Sequence, residues 1–207
     1  MNIGEIMTRS VYTVRPETTV RDAADLLARH GITSLPVLDD VERVIGLVSE
    51  ADLIKHRFPP DPRSHLRPAE LPTDDPPTRV GDVMTTTVVC LPETADAADA
   101  AETMLASDVR AIPVVDGSHL VGIVSRRDLL RTLTRADDAI AAEVTARLMA
   151  YRGTTMPWRI HVENGVVTII GRMRSDTEQH VVTALTRTVP GVLRVHLHAT
   201  RIGAVLA

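Results

Sequence analysis

Two short stretches of this 207-residue chain combine residue types that can bind a polar ligand. They read Gly46-Leu47-Val48-Ser49-Glu50-Ala51-Asp52 and Gly122-Ile123-Val124-Ser125-Arg126-Arg127-Asp128. In both, an apolar strand runs into Ser-x-x-Asp, the pattern of a helix start. The plainest reading is an N-cap, with Ser49 and Ser125 capping while Asp52 and Asp128 favour the positive helix end. A binding role needs more groups, and the second stretch has them. Arg126 and Arg127 fall in the first helical turn, where exposed N–H groups favour an anion. Arg110 precedes the Ala111-Ile112-Pro113 strand entry and is placed to converge on the same cleft. A carboxylate accepts from two vicinal ribose hydroxyls, a serine donates to a hydroxyl or phosphate, and guanidinium neutralises phosphate. Together they suit a nucleotide. The reading requires those guanidiniums to share one hollow with Ser125 and Asp128. The first stretch has Glu50 and Ala51 in place of the arginines, and Thr33-Ser34 in place of Arg110-Ala111, so it is expected to bind phosphate less well.

The elements that position these residues repeat as well. Ile3-Gly4-Glu5-Ile6-Met7-Thr8 returns as Val80-Gly81-Asp82-Val83-Met84-Thr85, and Leu35-Pro36-Val37 returns as Ile112-Pro113-Val114, both at an offset of 77. The Gly-x-Val-Ser block returns at 76, and a hairpin turn is expected to absorb the missing residue. Each copy predicts β-α-β-β-α. A short strand (11–14 or 88–91) is followed by a helix that Thr18 or Thr94 can cap. In the first copy Val20, Ala24 and Leu27 share a face and Gly31 closes the helix. Strands are expected near 35–38 and 43–48, then near 112–115 and 120–124. Residues 56–79 hold seven of the 13 prolines, which predicts an extended or partly disordered linker.

After Asp137 the pattern changes. Ile140, Val144 and Leu148 mark a helix face, and Trp158, Ile160 and Val162 alternate with polar residues as in a half-buried strand. Asn164-Gly165 signals a tight hairpin. Ser175-Asp176-Thr177-Glu178 is a capping box opening a helix with Val181 and Leu185 inward. Pro190-Gly191 stops it, before a last alternating strand through Leu193, Val195, Leu197 and Ala199. This is an α-β-β-α-β unit. Its outward residues Arg159, His161, Arg194, His196 and His198 could face an anionic surface, or simply solvent.

Composition narrows the function. Only four residues are aromatic (one Trp, two Tyr, one Phe), against base-stacking modules. The formal net charge is −4, and residues 1–138 carry 15 basic against 23 acidic groups, while 139–207 carry 8 against 4. Nucleic acid is therefore not expected as a partner. The single cysteine, Cys90, suits a reducing compartment. With no apolar run near the roughly 18 residues of a membrane span and no secretory pattern at the start, a cytoplasmic location is expected. Gly-x-Ser-x-Gly, Walker and His-Glu-x-x-His motifs are absent, so neither enzyme activity nor a catalytic residue is expected. His196-x-His198 lacks a third ligand at a telling spacing, so no metal is expected. One lysine among 23 basic residues hints at a GC-rich bacterial genome.

The ordered blocks at 3–133 resemble a tandem pair of CBS domains, the regulatory Bateman module. The resemblance implies an α/β (α+β) fold: two β-α-β-β-α repeats packed as a pseudo-two-fold pair, commonly a homodimer. It also implies an adenosyl ligand such as AMP, ADP or ATP, with S-adenosylmethionine or NAD as further options and no required cofactor. Carried onto this chain, the second-repeat site is Thr87, Val88, Arg110, Ala111, Ile112, Ser125, Arg126, Arg127 and Asp128. The carboxylates would hold ribose, Arg110 and Arg127 phosphate, and the region of Thr87, Val88, Ala111 and Ile112 the adenine. A weaker first-repeat site is Ser10, Val11, Thr33, Ser34, Ser49 and Asp52. Residues 138–201, through His161-Val162-Glu163-Asn164-Gly165-Val166 and Val189-Pro190-Gly191-Val192-Leu193, resemble a BON domain, which implies affinity for phospholipid or a protein partner. The expected boundaries are 1–57 for the first repeat, 58–79 for the linker, 80–134 for the second repeat and 138–203 for the last domain. The function implied is a sensor of an adenosyl ligand that signals through the last domain to a protein target. The alternative is a ligand-free dimerising scaffold whose serines and aspartates are only caps.

Overall fold

The repeated pattern folds twice into the same small layer in a computed structural model that describes residues 1–55, 57, 75–153 and 157–201. In the first copy, helix α1 (Val20–His30) precedes the antiparallel strands β1 (Ser34–Leu38) and β2 (Val44–Ser49), then the short helix α2 (Glu50–Ile54). In the second, α3 (Ala97–Ala106) precedes β3 (Ala111–Asp116) and β4 (His119–Ser125), then α4 (Arg126–Leu133). The length difference between copies falls in the turns, 39–43 against 117–118. Most of the expected linker, with Pro59, Pro60, Pro62, Pro68 and Pro72, lies outside the described residues, as do 202 and 203.

Local chemistry sets the helix ends, with some shifts from expectation. Thr19 rather than Thr18 caps α1: its hydroxyl accepts from the Asp22 N–H at 3.1 Å, while Thr18 Oγ1 accepts from Arg15 N–H. The inward face is accordingly Val20, Ala23 and Leu27, and Ala24 is exposed. Gly31 closes the helix at φ +59°, a conformation that costs glycine little. In the second copy it is Asp96, not Thr94, whose side chain accepts from a first-turn amide, Ala98 N–H.

The expected strands at 11–14 and 88–91 shrink to one bridged residue each, Val14 beside Val37 and Leu91 beside Val114. Val14 N–H donates to Pro36 O, and Leu38 N–H donates to Val14 O. The next rung of a parallel ladder would need an N–H from Pro36, which has none; Pro113 imposes the same stop in the second copy. The segments just before them pair across repeats instead. Thr8 exchanges two 2.9 Å backbone bonds with Ile123 of β4, and Thr85 exchanges two with Leu47 of β2.

The chain forms two units, one of residues 7–95 and 100–126, the other of residues 1–6, 96–99 and 127 onward. The first contains most of both repeats and a core including Val14, Val20, Ala23, Leu35, Val37, Val48 and Val80. In the second unit, α5 (Asp137–Arg152) and α6 (Asp176–Arg187) pack with the sheet β5 (Trp158–Glu163), β6 (Val166–Met173), β7 (Arg194–Arg201), in that order. The β5–β6 pair is antiparallel and turns through Asn164 and Gly165, both at positive φ as the dipeptide predicts. The β6–β7 pair is parallel, with α6 as its crossover. Ile140, Val144, Leu148, Trp158, Val162, Val167 and Ile169 form the core. On α6 the buried residues are Glu178, Val182 and Thr186, with Val181 and Leu185 half-buried. Ser175 caps α6 by accepting from Glu178 N–H at 3.1 Å, while the buried Glu178 carboxylate takes the Arg174 N–H and pairs with Arg152.

Candidate functional site

Ser49 ends β2 and opens α2, and its expected capping role is fully formed. Its hydroxyl donates to Asp52 Oδ2 at 2.6 Å, its N–H donates to the same oxygen at 2.9 Å, and the hydroxyl also receives the Asp52 N–H. Oδ1 of Asp52 takes part in neither of these two bonds. Above this pair opens a cleft of about 530 Å³, within the range of small-ligand pockets. Thr33, Ser34, Ser49 and Asp52 line it from the first repeat, and Thr87, Val88, Arg110 and Ala111 from the second. Arg110 Nη1 lies 3.4 Å from Glu50 Oε2, an exposed ion pair that joins the repeats. Such exposed pairs contribute about 0–1 kcal/mol to stability.

The grouping differs from the one expected repeat by repeat. The pairing of Thr85 with Leu47 carries Thr87 and Val88 to the end of β2, beside the first-repeat serine and aspartate. Ile112 is completely buried in β3 and belongs to the core. Ser125 closes β4 in register with Ala111 and does not line this cleft; nor do Arg126, Arg127 or Asp128. Asp128 is buried and pairs with Arg131 at 3.0 Å. The Arg126 guanidinium donates to Met104 O at 2.8 Å, Val109 O at 3.1 Å and Asp108 Oδ1 at 3.0 Å. It therefore satisfies carbonyls at and beyond the end of α3, a capping role in place of the expected phosphate contact. The convergence expected around Ser125 is thus not met by Arg110 or Arg126: Arg110 faces Glu50, and Arg126 is held on α3. Ser10 is exposed, and Val11 lines a different hollow of about 320 Å³ with Thr13, Leu38 and His119.

Thr85, Val89, Ser107, Asp108 and Val109 also line the cleft and were not singled out from the sequence. The repeated Met-Thr block pointed at Thr85. No spacing signal marks 107–109, which follow α3, with Asp108 at φ +49°.

Family comparison agrees with this architecture. The CBS domain matches residues 3–58 and 80–135. The chain belongs to the CBS-domain family. The BON domain matches residues 136–200. A chloroplastic CBS domain-containing protein of Arabidopsis thaliana, CBSX1, is 32% identical over 147 residues, covering 62% of each chain. Inosine-5'-monophosphate dehydrogenase of Methanocaldococcus jannaschii is 30% identical over 128 residues, which are 61% of this chain but 22% of that enzyme. The chain thus spans less than two thirds of the length of either curated relative. The crystal structure of CBSX2 in complex with AMP superimposes with a TM-score of 0.51 at 29% identity, covering 63% of this chain and 93% of that one.

In the BON domain the five expected surface residues share the face of the sheet away from the core. Arg159, His161, Arg194, His196 and His198 are all exposed, and His161 and His196 flank Thr168 on neighbouring strands. No group of three or more metal-ligating side chains occurs among the described residues, and no described helix is long and apolar enough to cross a membrane.

Proposed function

We propose that this protein is a non-catalytic regulator that senses an adenosyl ligand (AMP, ADP or ATP-like) in the cleft between its CBS repeats and signals through its BON domain. The observation that carries the reading is the joining, in one ligand-sized cleft, of the Ser49–Asp52 pair with Arg110 from the other repeat. Asp52 Oδ1 is the acceptor for ribose hydroxyls, and Thr87, Val88 and Ala111 offer the apolar and backbone surroundings of an adenine. The AMP complex of the similar CBSX2 supports the class of ligand. Signalling requires the ligand to bind one arrangement of the protein more tightly than another. A homodimer formed through the repeats and a cytoplasmic location complete the proposal.

A thermal-shift panel of AMP, ADP, ATP, NAD and S-adenosylmethionine tests it. At one hundred times Kd a ligand adds about 2.7 kcal/mol, a rise of about 5–10 °C for a chain of this size. Asp52→Ala removes the part of that rise due to this cleft, and Asp128→Ala removes any part due to the second-repeat junction. If every panel member leaves melting unchanged, the protein is a scaffold whose serines and aspartates only cap helices. For the BON face, sedimentation of the full chain with anionic vesicles is expected to exceed that with neutral ones, and Arg159→Glu with Arg194→Glu is expected to abolish the difference. Equal or absent sedimentation removes phospholipid as the partner.

A further inference from the structure

We infer that the Ser49–Asp52 cleft selects an adenosyl ligand with a neutral or cationic 5′ substituent, a thioether or sulfonium, against nucleoside di- and triphosphates. The inference rests on the adenosyl reading above and narrows its ligand class. Among the described residues, Arg110 is the only cation lining the cleft, and Glu50, Asp52 and Asp108 are its carboxylates. These groups are not equally available to a ligand. Asp108 meets Arg126 at 3.0 Å, and Asp52 Oδ2 is held by Ser49. Glu50 is the carboxylate that faces the Arg110 guanidinium, at 3.4 Å, with its side chain 48% exposed. A phosphate seeking the one guanidinium must displace the Glu50 carboxylate or share the cleft with it. Every added phosphate brings further negative charge into that repulsion, whereas a thioether brings none and a sulfonium is attracted by the same carboxylate. In the first repeat the positions equivalent to Arg126 and Arg127 are Glu50 and Ala51, and Arg126 itself is fastened to the end of α3.

Isothermal titration of the full chain with 5′-methylthioadenosine, S-adenosylmethionine, AMP and ATP, without divalent cations, tests this. Heat lost in Asp52→Asn, and independently in Ser49→Ala, assigns binding to this cleft. Folding of each variant is checked by its melting transition. At that site the thioether and the sulfonium are expected to bind at least about tenfold more tightly than ATP, with AMP between. Glu50→Gln is expected to tighten ATP about fivefold, to leave the thioether within about twofold and to weaken the sulfonium. ATP binding as tightly as the thioether at the Asp52-dependent site overturns the inference while leaving the adenosyl reading intact. An ATP-to-thioether ratio unmoved by Glu50→Gln does the same. If no ligand gives heat that depends on Asp52 or Ser49, the adenosyl reading of this cleft fails and the inference falls with it.

Discussion

Arg126 and Arg110 look alike in the sequence as members of one basic cluster, yet their side chains do different work. Arg126 donates to two carbonyls at and beyond the end of α3 and to Asp108, bonds that tie the turn after the helix to the start of α4. Arg110 holds only an exposed carboxylate across the cleft. Arg126→Ala is expected to cost about 1–2 kcal/mol of stability, since charge-assisted bonds are strong but this side chain is partly exposed. Urea denaturation measures it. The affinity of the Ser49–Asp52 cleft is expected to stay within about twofold; a loss of affinity with stability unchanged would return Arg126 to the binding site. The residue types of a nucleotide site were readable, but the direction of a flexible side chain was not. Nothing in Arg-Arg-Asp tells which guanidinium turns back to its neighbouring helix.

Among the elements, the glycines that open each Gly-x-Val-Ser block answer to the repeated Met-Thr block of the other copy. A Cβ on Gly122 would lie 2.5 Å from Met7 Sδ and 3.1 Å from the Thr8 carbonyl; on Gly46 it would lie 2.5 Å from Met84 Sδ and 3.3 Å from the Thr85 carbonyl. The thioethers can move, but each carbonyl accepts a 2.9 Å bond from the strand it touches and cannot retreat without losing it. Gly122→Ala is therefore expected to cost about 1–3 kcal/mol, read as a lowered denaturation midpoint at unchanged slope. A neutral result would mean that the segments at Thr8 and Ile123 part easily. Helix and strand order, the Gly31 cap and the Asn164-Gly165 turn were legible because each depends on a few adjacent residues. The lead strands were over-read, because Pro36 and Pro113 deny them a second rung from the partner strand.

Across the molecule, one charged network ties distant parts of the chain together. Glu143 on α5 accepts from Arg135, which follows α4, and from Arg147, which also reaches Glu5 at 2.9 Å near the chain start. Partial burial pushes the Glu143 carboxyl up, but hydrogen bonds and charge from Arg135 and Arg147 outweigh it and hold it below the ordinary value of 4.5. A carboxyl lowered on folding stabilises the protein above its unfolded value, and that contribution is lost as pH falls through the folded value. Wild type is therefore expected to lose more stability below pH 4.5 than Glu143→Gln, measured as melting temperature against pH. Parallel curves for the two proteins would show that the network contributes nothing on folding.

The amino-acid order alone determined the duplication, the sequence of helices and strands, and which residues of the BON strands face outward. Those features follow from periodicity, caps and turns, which act over a few residues. Only the tertiary structure decided which residues share the cleft. Thr85 takes its backbone partner from β2, nearly forty positions earlier. That long-range pairing seats Thr87 and Val88 beside Ser49 and Asp52, across from the Arg110 that faces Glu50. A pairing between distant backbones leaves no mark in local spacing, so the repeats were visible one by one while the site they build together was not.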